Sequence, residues 1–170
     1  MNKKLIPTYL CDSVFKINYE YLKSKNILNI FFDLDNTLAN PYIKTPAREI
    51  KDLIDIIKKI GFNIFIISNN HQERVKLFAS FLNVNYFYEL KKPNVKIIKK
   101  IIKENNIDLS KSIFIGDQIM TDILMANRLK ALSILVNPLT KQDEPITFFP
   151  RLLDRHFRKK INRKKLSKEM

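Results

Sequence analysis

The chain has 170 residues, 45% of them apolar, which is enough for one domain with a single core and too few for two ordinary ones. Its net charge of +14 points to a polyanionic neighbour, and residues 151–170 carry nine Lys or Arg against only Asp154 and Glu169. A single cysteine, Cys11, excludes an intramolecular disulfide and a four-cysteine zinc site and fits a reducing cytoplasm; no apolar run suits a signal peptide or a membrane-spanning helix.

Short apolar runs alternate with helical patterns along the chain. Residues 1–23 read as an N-terminal arm, helical from about Asp12. Asn29 to Phe32 is a buried strand ending at Asp33. Thr45 and Pro46 read as the N-cap and first residue of a helix whose inner face is Ile50, Leu53, Ile54 and Ile57, with Gly61 as a left-handed stop. Phe62 to Ile67 is the next strand, and a capping-box-like start at Asn70–Glu73 leads into a helix with Val75, Phe78, Ala79 and Leu82 inward. Val84 to Tyr88 is a third strand. Pro93 opens a helix that turns Ile97, Ile98, Ile101 and Ile102 inward. Ser112 to Ile115 is a fourth strand, Ile119 to Leu129 a helix, and Leu132 to Val136 a fifth strand. Such alternation predicts an α/β fold, a central parallel sheet of about five strands with helices on both faces. The core spans 24–139, and residues 147–170 form a basic amphipathic tail with Phe149, Leu152, Leu153, Phe157 and Ile161 on one helical face.

The polar residues fall where such a sheet builds a site. Asp33, Ser68, Lys92 and Asp117 each sit at or just beyond the C-terminal end of a strand, where open α/β sheets bind ligands. Asp33 and Asp35 repeat at the two-residue period of a strand and can both face that crevice. Two carboxylates so close repel unless a cation lies between them, and oxygen donors of this kind suit magnesium. Asp117 can add a distant ligand, and Asp122 can anchor a water or the loop. The bland alternative for Asp33–Thr37 is a strand end followed by turn-forming Asp and Asn; convergence with Ser68, Lys92 and Asp117 argues against it. His71 reads as a solvated residue at a helix start and His156 as tail surface.

In these motifs the chain resembles the haloacid dehalogenase (HAD) superfamily of phosphohydrolases. Asp33-Leu34-Asp35-Asn36-Thr37 matches its first motif and Ser68, after an apolar strand, its second. Lys92 before Pro93 matches the third, with Lys91 the alternative, and Gly116-Asp117-Gln118-Ile119-Met120-Thr121-Asp122 matches the fourth. Leu5-Ile6-Pro7, Ser68-Asn69-Asn70 and Gly116-Asp117-Gln118 further resemble the YqeG-like phosphatases of subfamily IIIA, related to the phosphatidylglycerophosphate phosphatases. Asn36 stands where the broad superfamily commonly has glycine, a departure that YqeG-like proteins share. The resemblance implies a Rossmann-like three-layer sandwich. It implies Asp33 as nucleophile, Asp35 as general acid and base, and Ser68 and Lys92 as catalytic partners of the phosphoryl group. It further implies Mg2+ held by Asp33, the Asp35 carbonyl and Asp117, with Gly116 and Asp122 in support. Thr37, Asn69 and Asn70 can line the substrate pocket, and helix capping explains Asn70 equally well.

The intervals from Asp35 to Ser68 and from Ser68 to Lys92 each hold one helix and one strand, so no cap domain is expected and the site should lie open. A phosphorylated, lipid-linked substrate such as phosphatidylglycerophosphate fits that openness, with the tail on an anionic membrane surface at the inner face of the membrane. The alternatives are a soluble or nucleic-acid-linked phosphate with the tail on RNA, or a binding role beside a ribosome-associated GTPase. On the membrane reading, deleting 147–170 should abolish vesicle binding and spare a soluble substrate; loss of both would mean that the tail packs on the core, a rival that the Phe148–Leu153 segment offers by covering a sheet edge.

Overall fold

The computed structural model describes residues 2–140 and 154–161, together with the backbone of 168–169. Phe149, Leu152 and Leu153 of the expected tail face lie outside the described residues. Seven described strands, β1 (Tyr9–Leu10), β2 (Asn29–Asp33), β3 (Asn63–Ile67), β4 (Asn85–Phe87), β5 (Ser112–Gly116), β6 (Leu132–Leu135) and β7 (Lys168–Glu169), form one sheet in the order β4-β3-β2-β5-β6-β1-β7. All pairings are parallel. The five expected strands are present. The other two, β1 and β7, are two-residue strands on the β6 side of the sheet, too short to leave a periodic signal.

Among the described residues five α-helices lie between β1 and β6: α1 (Tyr19–Ser24), α2 (Arg48–Ile60), α3 (Gln72–Leu82), α4 (Lys96–Glu104) and α5 (Leu124–Leu129). Alternation along β2 divides the core. Ile30 and Phe32 pack with α1, α2 and α3 on one face through Leu22, Ile54, Ile57, Val75 and Phe78. Phe31 points to the other face, with Ile98, Ile102, Met125 and Leu129 of α4 and α5. In-register pairing stacks Phe31 between Phe65 and Phe114, ring centroids 4.7 and 4.5 Å apart. Aromatic pairs of this kind stiffen the sheet beyond the area they bury. The ladder lies under the strand ends that carry the site.

Several local expectations shift. Helix α2 begins at Arg48 rather than Pro46, because Ala47 occupies the cap position and makes no side-chain bond; Gly61 closes it at φ 92°, as a left-handed cap requires. Helix α3 is capped at His71, again without a side-chain bond. Helix α4 begins at Lys96, after a turn that follows the cis Lys92–Pro93 peptide, and Ile97 is exposed while Ile98 and Ile102 are buried. The stretch 119–129 opens with a wide turn, Ile119–Ile123, before α5. In the arm, single 3-10 turns at Lys3–Leu5 and Val14–Lys16 precede α1, and Tyr9–Leu10 is a strand beside β6.

The largest revision concerns the tail. Residues 154–161 are helical, but their apolar side does not face outward. Ile161 is fully buried with Leu5, Ile119, Ile123 and Leu135, and Phe157 is half-buried on the same cluster. A stripe spaced for a membrane surface is equally spaced to cover a core, and this sheet end offers one. Arg155, His156, Lys159 and Lys160 occupy the exposed side. No helix among the described residues is long and apolar enough to cross a membrane.

Candidate active site

Chain order explains where the site lies. From β2 the chain moves outward to β3 and β4, then returns to β5 on the opposite side of β2. The C-terminal end of β2 is therefore the switch point at which an α/β crevice opens. Asp33 is the last residue of β2, Ser68 follows β3, Lys92 follows β4, and Asp117 follows β5.

Lys92 is the hub. Its Nζ donates to Asp33 Oδ1 at 2.6 Å and to Asp122 Oδ1 at 2.7 Å, all three side chains being almost wholly buried. Asn69 grips the Lys92 backbone from both sides: its Oδ1 accepts from Lys92 N at 2.6 Å and its Nδ2 donates to Lys92 O at 3.1 Å. Lys91 is exposed and makes no such contact with the carboxylates. Burial alone would push the Lys92 ammonium down, but Asp122 and Asp33 more than offset this and hold it above the usual lysine range. Asp33 is raised as well, but here burial is the driving cause. Burial pushes its carboxyl well up, Lys92 pulls it back, and Asp122, Asp117 and Asp35 raise it further.

Asp33, Asp117 and Asp122 bring carboxylate oxygens within 4.8 Å of one another, all buried. The donors are hard carboxylate oxygens gathered at one buried point. Such a cluster fits a divalent cation of the magnesium type. Asp122 is already committed: Oδ1 to Lys92, and Oδ2 accepting from Gln118 N at 3.1 Å. Gly116 permits this, since a Cβ there would lie 2.5 Å from the Asp122 carboxyl.

Asp35 stands apart from that cluster. Arg74 donates to its Oδ1 through Nε at 2.8 Å and Nη2 at 2.6 Å. Its Oδ2 accepts from Asn70 Nδ2 at 3.2 Å and, more weakly, from Ser68 Oγ at 3.4 Å. The side chain remains 23% exposed, so it reaches solvent. The intervening loop supports the arrangement. Asn36 adopts φ 68°, a left-handed conformation that asparagine tolerates, and this accounts for asparagine standing where glycine is common. Thr140 Oγ1 donates to Asn36 Oδ1 at 2.9 Å. Thr37 is buried, its hydroxyl without a hydrogen-bond partner among the described residues.

The expected site residues therefore separate into two groups. Asp33, Lys92, Asp117 and Asp122 gather in a buried cluster; Asp35, Ser68 and Asn70 gather at its solvent side. Asn69 serves the Lys92 backbone. His71 is exposed and pairs with Glu89 at 3.1 Å, and His156 is exposed. Arg74 was not anticipated, because one charged residue in the first turns of a helix reads as a solvated face. Arg74 also donates to the carbonyls of Ile43 at 2.8 Å and Asn40 at 3.2 Å, joining Asp35 to the loop after β2.

Comparison with known proteins agrees with this geometry. The family described as mitochondrial PGP phosphatase matches residues 1–139. The chain is 32% identical over 164 residues to the probable phosphatase YqeG of Bacillus subtilis (strain 168), covering 96% of this chain and 95% of that protein. It is 29% identical over 139 residues to phosphatidylglycerophosphate phosphatase 1, chloroplastic/mitochondrial, of Arabidopsis thaliana, spanning 76% of this chain and 40% of that protein. A predicted HAD-like family hydrolase from Porphyromonas gingivalis shares the fold at a TM-score of 0.55 and 16% identity, over 75% of this chain and 98% of the other. An uncharacterized protein from Listeria monocytogenes serotype 4b does so at 0.54 and 18%, over 70% and 85%. The fold is thus that of the HAD-like hydrolases, with no cap domain inserted among the described strands. A HAD-type phosphatase, a phosphoric monoester hydrolase, is what these strand ends support, and the chain belongs to the mitochondrial PGP phosphatase family.

Proposed function

We propose that the protein hydrolyses a phosphomonoester through an aspartyl-phosphate on Asp33. The observation that carries this reading is the Lys92–Asp33 pair, 2.6 Å apart, inside the buried carboxylate cluster at the end of β2. An Asp33 oxygen attacks phosphorus, and the ester P–O bond breaks. Asp35 delivers a proton to the departing oxygen, then takes one from the water that attacks the phosphoenzyme; the P–O bond to Asp33 breaks and inorganic phosphate leaves. Lys92 offsets charge shared by nucleophile and phosphoryl group, and Ser68 donates a hydrogen bond to the group in transit. Arg74 and Asn70 orient Asp35. Bound Mg2+ would supply electrostatic neutralisation of the phosphoryl oxygens, held by Asp33, Asp117 and the Asp35 carbonyl. Asp122, occupied by Lys92 and Gln118, positions rather than ligates.

For the substrate we propose a lipid phosphomonoester, phosphatidylglycerophosphate. Family membership and the named activity of the Arabidopsis relative support it. Phosphate release should be measured on an aryl phosphate and on phosphatidylglycerophosphate in mixed micelles. Both activities are expected to require Mg2+, to vanish in chelator, and to be poorly supported by Ca2+, whose larger and looser coordination misplaces the nucleophile. Full activity in chelator would overturn the metal assignment. Turnover of the aryl phosphate but not of the lipid would overturn the substrate assignment alone.

A further inference from the structure

The turn beginning at Ile119 lacks a cap of its own, since the Gln118 side chain accepts from the Thr121 hydroxyl at 2.8 Å and from none of the turn's backbone N–H groups. The first N–H groups of such a turn need partners. They find them far along the chain: Asp154 Oδ2 accepts from Ile119 N at 3.0 Å, and its Oδ1 accepts from Met120 N at 3.1 Å. One helical turn beyond Asp154, Arg158 donates through Nη2 to the Asp117 carbonyl and to the Val136 carbonyl, the latter at 2.7 Å. Its Nη1 donates to Asn137 Oδ1 at 3.3 Å. Asp154, Phe157, Arg158 and Ile161 share one helix face by their spacing. Ile161 is buried in a cluster with Ile119 and Ile123, on the same turn. All four residues lie beyond residue 139, where the family match ends.

We infer that residues 154–161 clamp the catalytic loop, with Asp154 and Arg158 as positioning residues that hold Asp117 and Asp122 in register with Asp33 and Lys92. The inference rests on the proposed reading of Asp117 as a cation ligand. Arg158 fixes the peptide of the very residue whose carboxylate joins the cluster, and Asp154 fixes the two peptides that follow Gln118. From the other side the loop is tied through Asp122 to Lys92 at 2.7 Å, and so to the nucleophile. A metal or catalytic constellation has to be held within about 0.5 Å to work, and outer partners that hold ligands are worth roughly 10–100-fold in metal affinity or activity. Removal of the tail should therefore impair hydrolysis of soluble substrates too, contrary to the expectation from charge pattern alone.

The test uses the full-length protein as wild type, Arg158→Ala, Asp154→Ala, the conservative Arg158→Lys, and Lys160→Ala as an exposed control on the same helix. Mg2+ binding is read by titration calorimetry, kcat and KM on an aryl phosphate across Mg2+ concentrations, and melting temperature in chelator. Arg158→Ala and Asp154→Ala should weaken Mg2+ binding about 10-fold or more and lower kcat more than they raise KM. Arg158→Lys keeps the charge but loses the planar fork that spans the two carbonyls and Asn137, so it should fall between, and Lys160→Ala should match wild type. Lower melting temperatures with wild-type Mg2+ affinity and kcat would overturn the clamp and leave the segment merely structural. If the alanine variants do not fold, Arg158→Lys decides on the same readouts. Failure of the wild type to bind Mg2+ would instead overturn the reading of Asp117, and the clamp with it.

Discussion

Asp33→Asn is expected to lower phosphate release by at least about 10⁴-fold, the scale on which an enzyme loses rate when a residue acting in its covalent step is removed. The fold should survive. The amide matches the carboxyl in shape, and its neutrality suits a position where burial and three neighbouring carboxylates already disfavour charge. Lys92 keeps Asp122 as a partner at 2.7 Å. Unchanged melting in chelator, beside abolished turnover at saturating Mg2+, would locate the loss in chemistry rather than in folding. Near-normal release from this variant would remove Asp33 from the mechanism.

Lys92→Met should have the largest effect on stability. The ammonium is fully buried and is the counter-ion of both Asp33 and Asp122. Breaking a buried pair by deleting one partner costs about 3–5 kcal/mol, because the remaining charge is uncompensated. Here two carboxylates are left facing Asp117. Urea denaturation in chelator should register that loss. Added Mg2+ should recover part of it, since a ligand that binds only the native state stabilises it by mass action. Activity should remain low even then. A shift below about 1 kcal/mol in chelator would mean that Lys92 is not the group compensating this cluster.

Much of this was readable in the sequence, for identifiable reasons. A continuous apolar strand ending in an acid, repeated after two more strands by Ser68 and Asp117, marks strand ends in an α/β sheet without any tertiary information. Gly61 stops α2 because few other residues accept its φ of 92°. What escaped is of two kinds. Tyr9–Leu10 is too short to show a period, and its pairing with Ile134–Leu135 is purely tertiary. Arg74, Asp154 and Arg158 reach residues 39, 35 and 41 positions away, and nothing in local spacing announces such partners. The tail's stripe carried a second ambiguity: Phe157 and Ile161 suit a lipid surface or a protein core equally, and only the position of Leu5, Ile119 and Ile123 decides. Asn69 looked like a pocket residue but is consumed by the Lys92 backbone.

In the proposed mechanism Asp33 carries phosphate and Asp35 moves the proton. Asp35→Asn separates the two steps. An aryl phosphate has a leaving group that departs with little protonation, so the first step should proceed; the second needs a base for water and should slow by roughly 10²–10⁴-fold. Mixing this variant with aryl phosphate and Mg2+, quenching in acid and mapping the label by mass spectrometry should therefore find close to one phosphate per chain, on the peptide containing Asp33. No covalent phosphate under these conditions, or phosphate on any residue other than Asp33, would contradict the account.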